Sequence, residues 1–260
     1  MRLKNENAPL IARIGLPLVV LILVIALWTI TAAMRFYPES AFPDPLSVLK
    51  AFPEEIRSGS LSRDIIASLF RVFAGFLLAC LLGIPLGLWI GLNLRARLAL
   101  LPLVNFFRNI SPIVWIPFAV LWFGVGDNSA IFLIFNSTIF PLTLATAAAV
   151  ANIPEIYFRV ARDYGLKGTE LLTQVTIPAI MPQIITALRV GMGLSWLVAV
   201  AAEMIAGQDG LGYMVWDARN GLRTDRMLVA AIVIGIIGVL LDRLLIQLTQ
   251  LRSVRWGYGQ

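Results

Sequence analysis

The sequence predicts an all-α membrane protein with six transmembrane helices, and two observations carry that prediction. Hydrophobic residues fill 59% of the 260 positions, and charged residues fill only 14%. The apolar residues also gather in runs of span length, separated by short polar stretches. An average soluble domain is about 45–50% apolar and about 25% charged. A soluble chain of this size could not keep so much apolar surface from water. Ordinary soluble enzymes, disordered chains and nucleic-acid binding as a main task are therefore excluded.

A hydrocarbon core of roughly 30 Å takes about 20 apolar residues as helix. That ruler marks six spans, at 14–34, 65–92, 98–124, 129–151, 178–204 and 227–248. The first has no small-residue cleavage site ahead of Arg35 and reads as a retained helix, not a signal peptide. The second carries Gly75, Ala79, Gly83, Gly87 and Gly91, a small residue at every fourth position on one helix face. This pattern lets two backbones approach closely, either within the chain or against a second copy. Arg108, Asn109, Pro112 and Pro117 interrupt the third span, which is expected to be broken. Lipid tolerates such a break only where protein or a wet cavity satisfies the backbone. The polar stretches 35–64, 152–177 and 207–226 are each too small for a separate domain. The chain reads as one domain, 14–248, between tails at 1–13 and 249–260.

Lysine and arginine total 21 against 15 acidic residues, a net charge of +6. In a membrane protein such an excess reflects basic cytoplasmic flanks. Six spans put both termini on one side. Placing them in the cytoplasm leaves ten Lys and Arg inside and seven outside, the sense that the positive-inside rule favours. There is no histidine and a single cysteine, Cys80. That removes intrachain disulfides, Cys/His zinc sites and Ser-His-Asp hydrolysis. No catalytic constellation for an intramembrane enzyme can be assembled. The span midplanes carry no acidic residue, which argues against a secondary transporter coupled to protons or sodium.

Segment 152–177 has a helical pattern of its own. Asn152 is a candidate cap, Pro154 fits a first turn, and Glu155 suits the positive end of a helix dipole. Ile156, Tyr157, Val160, Ala161 and Tyr164 recur at helical spacing, with Arg159, Arg162 and Asp163 on the other side. Gly165 is the expected residue just past the helix end. A second short helix is expected from Thr169, with Glu170 in its first turn, ending before Pro178. On its own the segment reads as a helix pair at the membrane surface.

Gly165, nine residues, and then Val175-Thr-Ile177-Pro178 resembles the G-x9-I-x-L-P half of the EAA loop of ABC importer permeases. Arg159-Val160-Ala161 stands where that family has Glu-Ala-Ala, with only Ala161 matching. Further pieces resemble the nitrate/sulfonate/taurine/bicarbonate branch of the binding-protein-dependent permeases. They include Pro43-Asp-Pro45, Ser68-Leu-Phe-Arg71, Gly83-Ile-Pro-Leu-Gly87, Trp115-Ile-Pro-Phe, Ala202-Glu203-Met and Gly210-Leu-Gly212-Tyr. The resemblance implies the type I importer permease fold, multi-pass in a bacterial inner membrane with both termini cytoplasmic. The loop would be its cytoplasmic coupling helix, bearing Glu155, Arg159, Ala161, Arg162, Asp163, Gly165, Lys167, Gly168 and Glu170. The implied partners are an ABC ATPase dimer, a periplasmic solute-binding protein and a second copy of this chain. ATP and Mg would sit on the ATPase and no cofactor or metal on this chain, which lacks a G-x4-G-K-[ST] loop. The implied cargo is a small anion, an aliphatic sulfonate or taurine ahead of nitrate or bicarbonate.

Charge within apolar spans is costly, and it is paired, wet or functional. Arg71, Arg108 and Arg189 are candidates either to draw an anion or to pair and snorkel at helix ends. Arg108, beside Asn109 and the broken stretch, is the foremost pathway candidate. Trp115 is a candidate pathway aromatic, and Glu203 with the glycine-rich turn at 207–212 a candidate outer gate. Asp242 and Arg243 read as cytoplasmic-end pairing partners or lipid anchors.

Overall fold

The computed structural model describes residues 10–38 and 40–248. The tail expected at 249–260, and residues 1–9 of the N-terminal tail, lie outside the described residues. Eleven α-helices follow in order: α1 (Leu10–Ala33), α2 (Pro45–Arg57), α3 (Ser60–Leu92), α4 (Leu94–Arg108), α5 (Ile116–Phe123), α6 (Asp127–Ala151), α7 (Glu155–Asp163), α8 (Gly168–Leu171), α9 (Ile177–Ala206), α10 (Leu211–Asn220) and α11 (Thr224–Leu248). The described residues contain no strand. Among the described residues five helices are long and apolar enough to cross a membrane, and a bent pair, Leu94–Arg108 with Pro112–Phe123, makes a sixth when counted as one broken span.

That bent pair turns by 87°. The break falls at Asn109–Ser111, where α4 has ended and Pro112 opens a short 3-10 turn. Pro117 does not break the chain, because it sits in the first turn of α5, where its missing N–H has no helical partner to lose.

The centre of the bundle is α6, packed between α3 and α9. The small-residue stripe of α3 faces α6 within the same chain. A Cβ on Gly87 would lie 2.5 Å from the Thr146 Cβ, and one on Gly91 would lie 2.6 Å from the Val150 Cβ. Thr143 donates to the Gly83 carbonyl at 3.2 Å, a bond that larger residues on the stripe would push apart. On the other side the Thr138 and Ser195 hydroxyls meet at 2.7 Å, joining α6 to α9. Trp196 of α9 donates its indole N–H to the Ile234 carbonyl of α11 at 3.1 Å. Helix α1 lies at the periphery, where Trp28 donates to the Pro43 carbonyl at 3.1 Å.

Two helices fall in segments that the hydropathy pattern left as polar connections. Helix α2 begins because Asp44 caps it, accepting from the Ser47 N–H at 2.8 Å, and Pro45 takes the first turn. The hydrogen bonds from Ser47 lower the pKa of the Asp44 carboxyl. Val48 and Ala51 then bury one face of α2. Helix α10 is started by side chains of other helices, as described below.

The mid-chain loop departs from expectation in two places. Asn152 terminates α6, and Pro154, not Asn152, stands at the start of α7. The helix that opens at Gly168 does not stop before Pro178; it continues unbroken to Ala206 over 39 residues. A π-helical turn at Leu172–Thr176 makes this possible, because its wider i→i+5 pattern absorbs the backbone bond that Pro178 cannot donate.

The glycine contacts predict a stability difference. Gly87→Ala is expected to destabilise the fold by about 1–3 kcal/mol through overpacking. Gly193→Ala, whose added Cβ would meet nothing within 4 Å, should leave it unchanged. Thermal unfolding midpoints in detergent separate the two, and equal midpoints would contradict the close α3–α6 approach.

Candidate functional site

Three constellations carry the functional side chains: the α7 knob at one end of the bundle, a cavity beside the broken span, and a buried ionic network at the other end. The α7 knob ends in a Schellman motif. The Leu166 N–H donates to the Ala161 carbonyl and the Gly165 N–H to the Arg162 carbonyl, both at 2.9 Å. Gly165 adopts φ +76° and Gly168 φ +55°, left-handed conformations that side chains with a Cβ disfavour. Of the predicted loop residues, Ala161 is buried, while Glu155, Arg159, Arg162, Asp163, Lys167 and Glu170 are exposed. Arg159 makes an i,i+4 pair with Glu155 at 3.1 Å. The apolar face of α7 is largely in the open, with Ile156, Tyr157, Val160 and Tyr164 exposed. Exposed apolar side chains thus stand among charges on a short helix with a fixed end.

A cavity of about 180 Å³ lies beside the break between α4 and α5. Arg108 and Trp115 line it together with Asn136 and Ser137 of α6 and the rings of Phe107 and Phe140. Asn109 does not join them; its amide donates to the Asn105 carbonyl at 2.9 Å. Arg189 lies elsewhere, paired with Asp242 of α11 at 2.5 Å. That contact gives Asp242 the pairing role expected of it.

Glu203 and Arg71 are apart from the cavity, at 0% and 2% side-chain exposure, in an ionic network. The Arg71 guanidinium meets Glu203 at 3.1 Å, Asp127 at 2.7 Å and the Asp209 carboxylate. It also donates to the Asp209 backbone carbonyl at 2.8 Å. Ser68 donates to Glu203 at 2.9 Å and accepts from the Leu211 N–H at 2.9 Å. Glu203 accepts from the Gly212 N–H at 2.9 Å, and Asp64 from the Gly210 N–H at 3.1 Å. The free N–H groups that open α10 are thus answered by side chains of α3 and α9, with carboxylates at the positive end of its dipole. Gly210 and Gly212 serve close approach here. A Cβ on Gly210 would lie 2.6 Å from the Glu203 carboxyl carbon, and one on Gly212 would lie 2.2 Å from the Val200 carbonyl oxygen. The turn at 207–212 is a tied structure, not a loose hinge. Sequence reading marked Arg71 and Glu203 separately but not their contact; the small residues at Ser68, Gly210 and Gly212 were the available signal.

Residues 83–251 match the family described as binding-protein-dependent transport system inner membrane component. The chain is 33% identical over 239 residues to the taurine transport system permease protein TauC of Escherichia coli (strain K12), covering 90% of this chain and 87% of that one. It is 38% identical over 213 residues to the bicarbonate transport system permease protein CmpB of Synechococcus elongatus, covering 77% of each. A chain from an inward-facing structure of the MetNI methionine ABC transporter superposes with a TM-score of 0.60 at 18% identity, covering 71% of this chain and 94% of that one, and shares the fold. The all-helical bundle, its broken span and its exposed loop helix are those of a membrane permease. This chain belongs to the binding-protein-dependent transport system inner membrane components, in the branch that includes taurine, bicarbonate and nitrate permeases. It is a translocation subunit of an ABC transporter, and ATP hydrolysis belongs to a separate ATPase.

The buried network sets a second expectation. Removing one partner of a buried ion pair costs about 3–5 kcal/mol, because the remaining charge is stranded. Glu203→Ala should therefore unfold far more readily in detergent than Glu155→Ala, whose exposed pair contributes under about 1 kcal/mol. Similar midpoints for the two variants would contradict the network.

Proposed function

We propose that this chain passes a small anion from a periplasmic binding protein to the cytoplasm, working as one of two identical copies driven by two ATPases. The observation that carries the reading is the uncovered face of α7. Ile156, Tyr157, Val160 and Tyr164 stand exposed on a helix whose end is fixed by Gly165 and whose following helix runs continuously from Gly168 to Ala206. A rigid knob joined to a rigid rod transmits a displacement that a floppy loop would absorb. Docking of a cytoplasmic ATPase on this face fits that geometry. Glu155, Arg159, Ala161, Arg162, Asp163, Gly165, Lys167, Gly168 and Glu170 form the coupling element in this reading. ATP and Mg are held by the ATPase. Both termini lie in the cytoplasm with the α7 loop.

The relatives named for taurine, bicarbonate and nitrate support a small anionic cargo. In this reading the cargo is an aliphatic sulfonate or taurine ahead of bicarbonate or nitrate. Arg108 and Trp115 line the pathway; Asn109 supports the end of α4 behind them. Arg189 and Glu203 contribute through the contacts that hold α9 to its neighbours.

Reconstitution tests this reading. Proteoliposomes holding the chain with its ATPase and binding protein should accumulate taurine only when ATP is present, and the chain without the ATPase should accumulate none. Gly165→Val places a β-branched residue at φ +76°, at a cost of about 1–2 kcal/mol. It should lower uptake at least tenfold while the bundle still folds. ATPase-independent accumulation, or unchanged uptake in the Gly165 variant, would overturn the assignment of α7.

A further inference from the structure

Two of the arginines within the spans are answered by carboxylates: Arg71 by Asp127, Glu203 and Asp209, and Arg189 by Asp242. Arg108 is different. Its guanidinium has no ion-pair or hydrogen-bond partner among the described residues. The same holds for the Asn136 amide and for the indole N–H of Trp115, and all three residues line one cavity. The lining residues include no carboxylate, and Phe107, Phe140, Leu194 and Val198 make much of the remaining wall apolar.

Arg108 ends α4 with its side chain exposed, and an arginine in an apolar span without a counter-charge is costly unless water or an anion answers it. The cavity sits at a backbone break, which the bilayer admits only where protein or water satisfies the freed groups. The unengaged groups also share a polarity. A guanidinium offers five N–H donors in a planar fork, an indole one, and an amide NH₂ two more, against the amide oxygen and the Ser137 hydroxyl oxygen as side-chain acceptors. Ser137 adds little donor capacity, because its hydroxyl already donates to the Ile134 carbonyl at 2.8 Å. A donor-rich, acceptor-poor cavity with one fixed positive charge and aromatic walls suits a compact oxoanion. Several oxygens on one centre can take the fork of Arg108 in bidentate fashion and the neighbouring N–H groups singly. Lysine could supply the charge but not the fork.

We infer that Arg108, Asn136 and Trp115 form a transit site that holds a singly charged oxoanion, such as a sulfonate, beside the broken span during its passage. The inference rests on the proposed anion-importer function and names the residues that would recognise the cargo within the membrane. The site answers the anion's charge where the apolar walls of the cavity cannot. Its single unpaired cation allows release once the pathway opens to water.

The test uses the full importer in proteoliposomes, with taurine, nitrate and bicarbonate supplied as separate cargoes. Uptake per ATP hydrolysed is measured for wild type, Arg108→Gln, Arg108→Lys, Asn136→Leu and Trp115→Phe. Loss of one charge-assisted hydrogen bond implies about a tenfold effect or more. Arg108→Gln should lower uptake of the transported anion at least tenfold with binding-protein-stimulated ATP hydrolysis retained. Arg108→Lys should recover part of it, and Asn136→Leu and Trp115→Phe should each lower it several-fold. The thermal midpoint of each variant shows that the bundle is intact, and the ring-preserving Trp115→Phe change keeps the test decisive if Arg108→Gln misfolds. Wild-type anion uptake matched by Arg108→Gln and Trp115→Phe would overturn the transit site and leave the importer function standing. A wild-type importer that carries neither nitrate nor bicarbonate nor taurine, whose sulfonate is the anionic group recognised, would overturn the anion-importer reading itself.

Discussion

A guanidinium that hydrocarbon would reject organises one end of this bundle. Arg71 is 2% exposed and meets carboxylates from the start of α6, the end of α9 and the connection into α10. Glu203 would be costly to bury alone, and so would the arginine, while Asp127 and Asp209 reach it from partly exposed positions. Held together, they oblige three helices and one connection to converge on a single point. The N–H groups that open α10 complete the arrangement by taking the remaining acceptors of Glu203, Ser68 and Asp64. The network adds specificity more than raw stability, since among the described residues the buried pair of Arg71 and Glu203 has no other charged partner within its own helices.

From that point the architecture runs to the opposite end through helices that cannot easily slide. The helix from Gly168 to Ala206 is 39 residues long, about 55–60 Å at the usual rise. It joins the α7 knob directly to Glu203. Helix α6 beside it is gripped by the glycine face of α3, where backbone and small side chains meet with no space for a Cβ. In the proposed coupling, a push at α7 would reach Glu203 through continuous helix. The broken span is of another kind. Its two halves turn by 87° and leave a cavity with unengaged donors. Rigidity and openness are thus allotted to different elements of one bundle, as a subunit that both transmits force and passes a solute requires.

Much of the fold was legible in the sequence because the bilayer imposes a length and a polarity that a hydropathy ruler can measure. Five of the six expected spans are single helices, and the third is a bent pair whose break falls at Asn109–Ser111, between Arg108 and Pro112, while Pro117, also expected to interrupt it, sits inside α5. The Schellman end at Gly165 was also legible, because its glycine signal is local. Helices α2 and α10 were not, since their stability comes from Asp44 capping in one case and from side chains of distant helices in the other. Pro178 misled for a similar reason. A proline after a polar stretch predicts a helix end, but a π-turn accommodated it. The contact of Arg71 with Glu203 spans 132 positions, and no local pattern announces such a pair. Asn136 was missed because an isolated asparagine in an apolar run has no signature until the chain folds it beside Arg108.

The account stands or falls on α7 being the surface through which an ATPase drives the bundle. Hydrogen–deuterium exchange of the chain in lipid nanodiscs, with and without its ATPase, tests this most directly. The account predicts new protection concentrated in the peptides spanning 155–170 when the ATPase binds, with the Arg71 end protected to the same degree in both samples. Unchanged exchange across 155–170, with protection appearing on another loop, would contradict it.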